Sequence, residues 1–133
     1  MFDPKTRILV LDDMMTMRKI VSKNLKEMGF TDLQEGADGK IGWDLIEKSA
    51  PPVQLVVSDW NMPNMSGLEL LKKVRADQRF TKLPFVLLTA EAEAHQVKEA
   101  LLSGVSNYII KPFTPEILKD KLLQTYKKVT GVK

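Results

Sequence analysis

A chain of 133 residues that is 44% hydrophobic and 28% charged is sized for one domain, residues 1–133, which excludes disorder and leaves no room for a separate output domain. With no cysteine and a single histidine, His95, it also excludes a disulfide framework, a thiolate or histidine-rich metal centre and cysteine nucleophilic catalysis. Lys+Arg number 20 against 17 Asp+Glu, a formal charge of +3 concentrated late in Lys111, Lys119, Lys121, Lys127, Lys128 and Lys133; no aromatic residues interleave, so a solvated helix face is expected there and not a nucleic-acid surface.

Short apolar runs alternate with longer stretches of helical periodicity, the pattern of a parallel α/β sheet. Ile8–Leu11 is a continuous apolar run, as a central strand covered on both faces requires, and it ends at Asp12-Asp13. Met17, Ile20, Val21, Leu25 and Met28 then recur on one helical face, with Gly29 placed to stop the helix. A second strand is expected near Thr31–Glu35, and Gly39–Lys48 reads as a helix with Ile41 and Leu45 inward, closed by Pro51-Pro52. Leu55–Asp59 is a third strand ending in an aspartate. A loop from Trp60 to Ser66 precedes a helix marked by Leu68, Leu71 and Val74. Phe85–Thr89 is the fourth strand, followed by a helix with Val97 and Leu101 inward that ends at Gly104. Tyr108–Ile110 is the fifth, and a last helix starts near Pro115 and runs through Leu118 and Leu122 to about Lys128.

The apolar runs stay at four or five residues, far short of the roughly 20 that cross a bilayer. The opening Met1-Phe2-Asp3-Pro4-Lys5 lacks the charged-then-apolar pattern of a signal peptide. A cytoplasmic monomer without membrane contact is expected.

Chemistry collects at the C-terminal ends of the strands: Asp12 and Asp13 after the first, Asp59 on the third, Thr89 on the fourth and Lys111 after the fifth. In open α/β sheets ligands bind outside this edge. Strand ends do turn polar as the chain leaves the core, but that accounts for one or two such residues and not for this set. Carboxylates gathered together repel unless a cation neutralises them, and an all-oxygen set favours Mg²⁺ or Mn²⁺ over zinc. A divalent ion, a lysine, a hydroxyl donor and a carboxylate nucleophile suit phosphoryl transfer.

Taken together, Asp12-Asp13, Asp59-Trp60-Asn61-Met62-Pro63-Asn64-Met65, Thr89-Ala90-Glu91 and Lys111-Pro112-Phe113-Thr114 resemble the motifs of response-regulator receiver domains, specifically those of the single-domain chemotaxis regulators. The resemblance spans essentially the whole chain. It implies a (βα)5 flavodoxin-like fold with strand order 2-1-3-4-5, an order for which such a regulator is itself a standing example. It further implies that Asp59 accepts a phosphoryl group from a histidine kinase. Mg²⁺ would be held by Asp13, Asp59, the backbone carbonyl of Asn61 and, directly or through water, Asp12. Lys111 would pair with the phosphoryl group, Thr89 would move to bond it, and Tyr108 would be the aromatic switch behind Thr89. A cis Lys111-Pro112 bond is implied as well. The output surface would include Val97, Tyr108 and Lys121, with a flagellar motor switch protein as partner and room for a dedicated phosphatase.

Each feature also has a plainer reading. Met17 fits core filler, His95 an exposed helix residue, Trp60 a partly exposed loop aromatic, Tyr108 plain sheet packing and Lys121 a solvated helix face. The chain departs from the pattern at Ser66, where an aspartate is frequent, at Met14, where an aromatic is common, and at Ala94, where a lysine is often found. The leading expectation is a signalling switch that catalyses only its own phosphorylation and dephosphorylation. A phosphorelay or phosphate-sink receiver without motor contact is the alternative. A Mg²⁺-dependent aspartyl-phosphate phosphatase would want an acid two residues after the nucleophile, where Asn61 stands, and a flavin module would want a glycine- and hydroxyl-rich loop where Asp12-Asp13 stand.

Overall fold

The computed structural model describes residues 1–90 and 94–131, so Glu91 of the third motif, Lys133 and the side chain of Ala94 lie outside the described residues. Five strands, β1 (Arg7–Leu11), β2 (Asp32–Gly36), β3 (Leu55–Asp59), β4 (Phe85–Thr89) and β5 (Asn107–Ile110), pair in parallel in the order β2-β1-β3-β4-β5. Between and after them run α1 (Met15–Glu27), α2 (Gly39–Lys48), α3 (Gly67–Ala76), α4 (Ala94–Leu102) and α5 (Pro115–Thr130), with a short 3-10 turn at Gln78–Phe80.

Successive strand residues point to opposite faces, so a strand covered on both sides must be apolar throughout. Leu9, Leu11, Val56, Phe85 and Leu87 pack on one face against Ile46 of α2, Leu70, Leu71 and Val74 of α3 and Ala100 of α4. Ile8, Val10, Val57, Val86 and Ile109 pack on the other against Val21 and Leu25 of α1 and Leu118 and Leu122 of α5. Each fully buried Leu, Ile or Phe contributes about 1.5–3 kcal/mol of hydrophobic stabilisation, so the two layers hold the strand ends in fixed register.

The helix ends follow local chemistry. Asp38 caps α2 by accepting from the Ile41 amide at 2.8 Å. Ser66 and Glu69 form a reciprocal capping box on α3, so the serine at which the chain departs from the resembled pattern is the residue that starts this helix. Thr114 caps α5 with Pro115 in its first turn. Gly29, Gly104 and Gly131 take positive φ at helix ends. Lys111-Pro112 is cis, and so is Ala50-Pro51, which the sequence reading did not anticipate.

Several inward assignments are corrected. Ile20, Ile41 and Leu101 are exposed, at 44%, 44% and 53%. Ser22 and Asn24 are buried on α1, Gly42 and Ile46 on α2 and Ala100 on α4 instead. Met17 is half-buried and joins neither core layer, so it is not core filler. Helices laid flat on a sheet approach it most closely where a residue is small. A Cβ on Gly42 would come within 2.4 Å of a Leu11 methyl, and the larger apolar residues flank that line of contact.

Candidate functional site

Asp12 follows the last residue of β1, and Asp59 is the last residue of β3; the two strands are neighbours in the sheet. Lys111, one residue past β5, reaches across β4 to both carboxylates. Its Nζ donates to Asp59 Oδ1 at 2.7 Å and to Asp12 Oδ2 at 3.3 Å. Asp12 is buried and Asp59 is 9% exposed, while Asp13 faces solvent. Carboxylate oxygens of Asp12, Asp13 and Asp59 lie within 4.8 Å of one another. Asp13 and Asn61 share an open concavity with Met62, Pro63 and Ser66, which puts the Asn61 segment beside the acidic group.

The backbone holds this arrangement tightly. Asp12 Oδ1 accepts from the Met14 amide at 2.9 Å, and the Asp12 carbonyl accepts from Arg18 Nη1 at 2.8 Å. Arg18 in turn donates to Glu35 on β2 at 3.1 Å. Past Asp59, the Trp60 amide donates to the Leu88 carbonyl at 2.9 Å and the Trp60 carbonyl accepts from Gly67 at 2.8 Å, so the loop leaves β3 along one path. Gly67 must be glycine for this: a Cβ there would sit 2.2 Å from the Asp59 carbonyl oxygen.

Electrostatics favour a cation in addition to the lysine. Burial pushes the Asp59 carboxyl above its ordinary value; Lys111 pulls it down, but the charges of Asp12 and Asp13 add to the rise. Burial likewise works against the Lys111 ammonium, yet its bonds and attraction to Asp59 and Asp12 hold its pKa above the usual range. A single positive charge thus leaves the group of carboxylates uncompensated. Hard oxygen donors without imidazole or thiolate match a magnesium ion, which takes one or two carboxylates and keeps open positions for phosphate oxygens.

Thr89 is buried at the end of β4, between the Asp59 and Lys111 strands. Tyr108 is half-buried on β5 and Lys121 Nζ lies over its ring at 5.4 Å, so Lys121 is more than a solvated face residue. Both line a groove with Ile110, Pro112 and Ile117, while Val97 stands half-buried on α4 outside it. His95 is exposed and Trp60 is partly buried against the core.

Sequence reasoning missed Arg18, Gly67 and the link from Asn64 Nδ2 to Asp38 at 2.8 Å, which ties the loop after β3 to the start of α2. Only the Ser66–Glu69 spacing offered a readable signal for this region.

Residues 8–123 match the response regulator receiver domain family. Chemotaxis protein CheY1 of Helicobacter pylori is 45% identical over 116 residues, covering 87% of this chain and 93% of that protein. The solved structure of Vibrio cholerae chemotaxis protein CheY4 superposes with a TM-score of 0.83 at 30% identity, covering 91% of this chain and 98% of that one. The receiver domain of a Pseudomonas aeruginosa sensor histidine kinase shares the fold, with a TM-score of 0.80 at 21% identity over 95% of this chain and 98% of its own; a magnesium ion is coordinated in its active site cleft.

Proposed function

Because the chain belongs to the response regulator receiver family, and within it resembles the chemotaxis regulators, we propose that Asp59 accepts a phosphoryl group from a histidine kinase and that the phosphorylated chain binds the flagellar motor switch. The observation that carries this reading is the Lys111 ammonium 2.7 Å from Asp59 within a group of three strand-end aspartates. Asp59 attacks the phosphorus of the kinase phosphohistidine. A P–O bond forms as the P–N bond breaks, and the electron pair, then a proton, goes to the departing imidazole.

Magnesium would be held by Asp13, Asp59, the Asn61 carbonyl and Asp12, directly or through water, and when bound would neutralise charge on the phosphoryl oxygens. Lys111 first orients the Asp59 carboxylate and then exchanges that bond for one to the phosphoryl group. Thr89 turns toward the same oxygens, and Tyr108 follows into the space behind it. The buried position of Asp59 limits access of water to the acyl phosphate.

Switching from 1:99 to 99:1 needs a difference of about 5.5 kcal/mol between states, and hydrogen bonds to charged groups contribute roughly 1.5–3 kcal/mol each. Lys111 exchanges one charged bond for another and Thr89 gains one, so these residues support a partial shift. The readout would be the surface that carries Val97, Tyr108 and Lys121, and the groove between β5 and α5 that Tyr108 and Lys121 line supports this reading. Co-precipitation with the motor switch protein, with and without a phosphoryl mimic such as beryllofluoride, tests this output. Mimic-dependent capture is expected. Phosphorylation of Asp59 without such capture would favour a phosphate-sink receiver. Asn61, two residues past the nucleophile, supplies no carboxylic acid, which weighs against a phosphatase that turns over external substrates.

A further inference from the structure

The +3 charge is unused by the strand-end chemistry, and part of it converges at the opposite end of the sheet. There a cavity of about 420 Å³ is lined by Arg75 of α3, Thr81 and Lys82 before β4, Gly104 to Ser106 before β5, and Lys128 and Val129 of α5. Arg75, Lys82 and Lys128 face one concavity whose lining contains no carboxylate. The volume lies within the span on the order of 300–1,000 Å³ typical of small-ligand sites.

Arg75 is built into this position. Its Nε donates to the Gly104 carbonyl at 2.9 Å, Nη1 to the Phe80 carbonyl at 3.1 Å and Nη2 to Ser106 Oγ at 3.4 Å. Its stem packs at 3.2 Å from where a Cβ on Gly104 would stand. Each terminal nitrogen retains a second N–H beyond these bonds. Ser106 Oγ also accepts from the Phe85 amide at 3.0 Å, which leaves its hydroxyl proton to donate elsewhere. Elsewhere on the surface Arg7, Arg18, Lys48 and Arg79 each reach a carboxylate. Among the described residues Arg75 does not, and burial pulls its pKa below the usual arginine value with no opposing charge.

A structural role explains only part of this. Carbonyls at helix ends welcome cations, and Lys128 lies in the last turn of α5. Lys82 lies in no helix, however, and three cations lining one concavity give it a positive potential that attracts an anion. A guanidinium with free N–H groups, two lysines and two hydroxyls form a donor set suited to phosphate oxygens.

The geometry points to a binding site for a pyrophosphate group, free or carried by a nucleoside diphosphate, in the cavity lined by Arg75, Lys82, Ser106 and Lys128. The site lies remote from Asp59 and bridges the ends of α3 and α5 and the turn before β5.

The test is amide-resolved NMR titration of the full chain, without magnesium, using inorganic pyrophosphate in one arm and ADP in the other. Saturable shifts at Gly104, Val105 and Ser106 are expected, with affinity falling about tenfold in the Lys82→Gln/Lys128→Gln double variant and unchanged in Lys111→Ala. Tighter binding of ADP identifies the nucleotide as the source of the group, and tighter or equal binding of pyrophosphate identifies the free anion. Shifts confined to the Asp12–Asp59–Lys111 cleft, equal affinity in the double variant, or reproduction by sodium chloride at matched ionic strength would each overturn the assignment.

Discussion

Replacing Gly67 with alanine probes how the fold positions Asp59 without touching any charged group. The added Cβ would lie 2.2 Å from the Asp59 carbonyl oxygen, 3.1 Å from its carbonyl carbon and 2.9 Å from a Leu87 methyl. The leucine can rotate, but the carbonyl is fixed: Ser58 Oγ donates to it at 2.9 Å and the next amide bonds Leu88. Relief therefore requires α3 and the end of β3 to separate by about 1 Å to reach ordinary contact distance. Overpacking of this kind costs roughly 1–3 kcal/mol. At about 4 °C per kcal/mol for a chain of this size, Tm should fall by about 4–12 °C. The same displacement moves the Asp59 carboxylate out of register with Asp12 and Asp13, so magnesium affinity should fall in parallel. Circular dichroism melts and a magnesium titration read by Trp60 fluorescence measure both. Gly29→Ala is the control: its φ of +103° imposes backbone strain of about 1–2 kcal/mol, but no atom lies within 4 Å and the site is distant. A Gly67→Ala protein with the wild-type Tm and magnesium response would refute the claim that this close approach sets the position of Asp59.

Other perturbations follow from the same contacts. Lys111→Ala should retain magnesium binding while phosphorylation no longer raises affinity for the partner; binding assays with and without beryllofluoride would show a preserved increment if the coupling role is wrong. Because Trp60 adjoins Asp59, millimolar magnesium or a small phosphodonor should change tryptophan emission, with Trp43 as constant background, and Asp59→Asn should abolish the phosphodonor response. Asp38 is held below the usual carboxylate range by the Ile41 amide and further by Asn64, despite opposing burial. A carboxyl whose pKa is lowered on folding stabilises the fold above its unfolded value near 4, and that contribution is lost as pH falls through the lowered value. Asp38→Ala should therefore cost about 1 kcal/mol at neutral pH and progressively less below pH 4, as urea melts across that range would reveal. A cost independent of pH would remove the ionised cap from the account.

Four strands were legible because continuous apolar runs end at the polar residues Asp12, Asp59, Thr89 and Lys111, whereas β2 carries no such run. Leu55–Asp59 and Phe85–Thr89 are placed as expected, and the ends of β1 and β5 differ from expectation by a residue. Helix faces were less legible. Periodicity weights large apolar residues, whereas the line of closest approach runs through Gly42 and Ala100 and leaves Ile41 and Leu101 outside. Asp12, Asp59 and Lys111 could be gathered from sequence because strand ends share one edge. Arg18 and Gly67 could not, since each acts on a backbone carbonyl that only the folded chain brings near. The cavity around Arg75 shows the same limit: Lys82, in a loop, and Lys128, on α5, line it together although no local pattern connects them.

Phosphotransfer to Asp59 tests the central claim most directly. The chain is incubated with a phosphorylated histidine kinase, with magnesium present and then chelated, and the acyl phosphate is located by borohydride reduction and peptide mass spectrometry. One magnesium-dependent phosphoryl group on Asp59, absent in Asp59→Asn, is the predicted result; no transfer, or equal transfer to the Asp59→Asn chain, would contradict it.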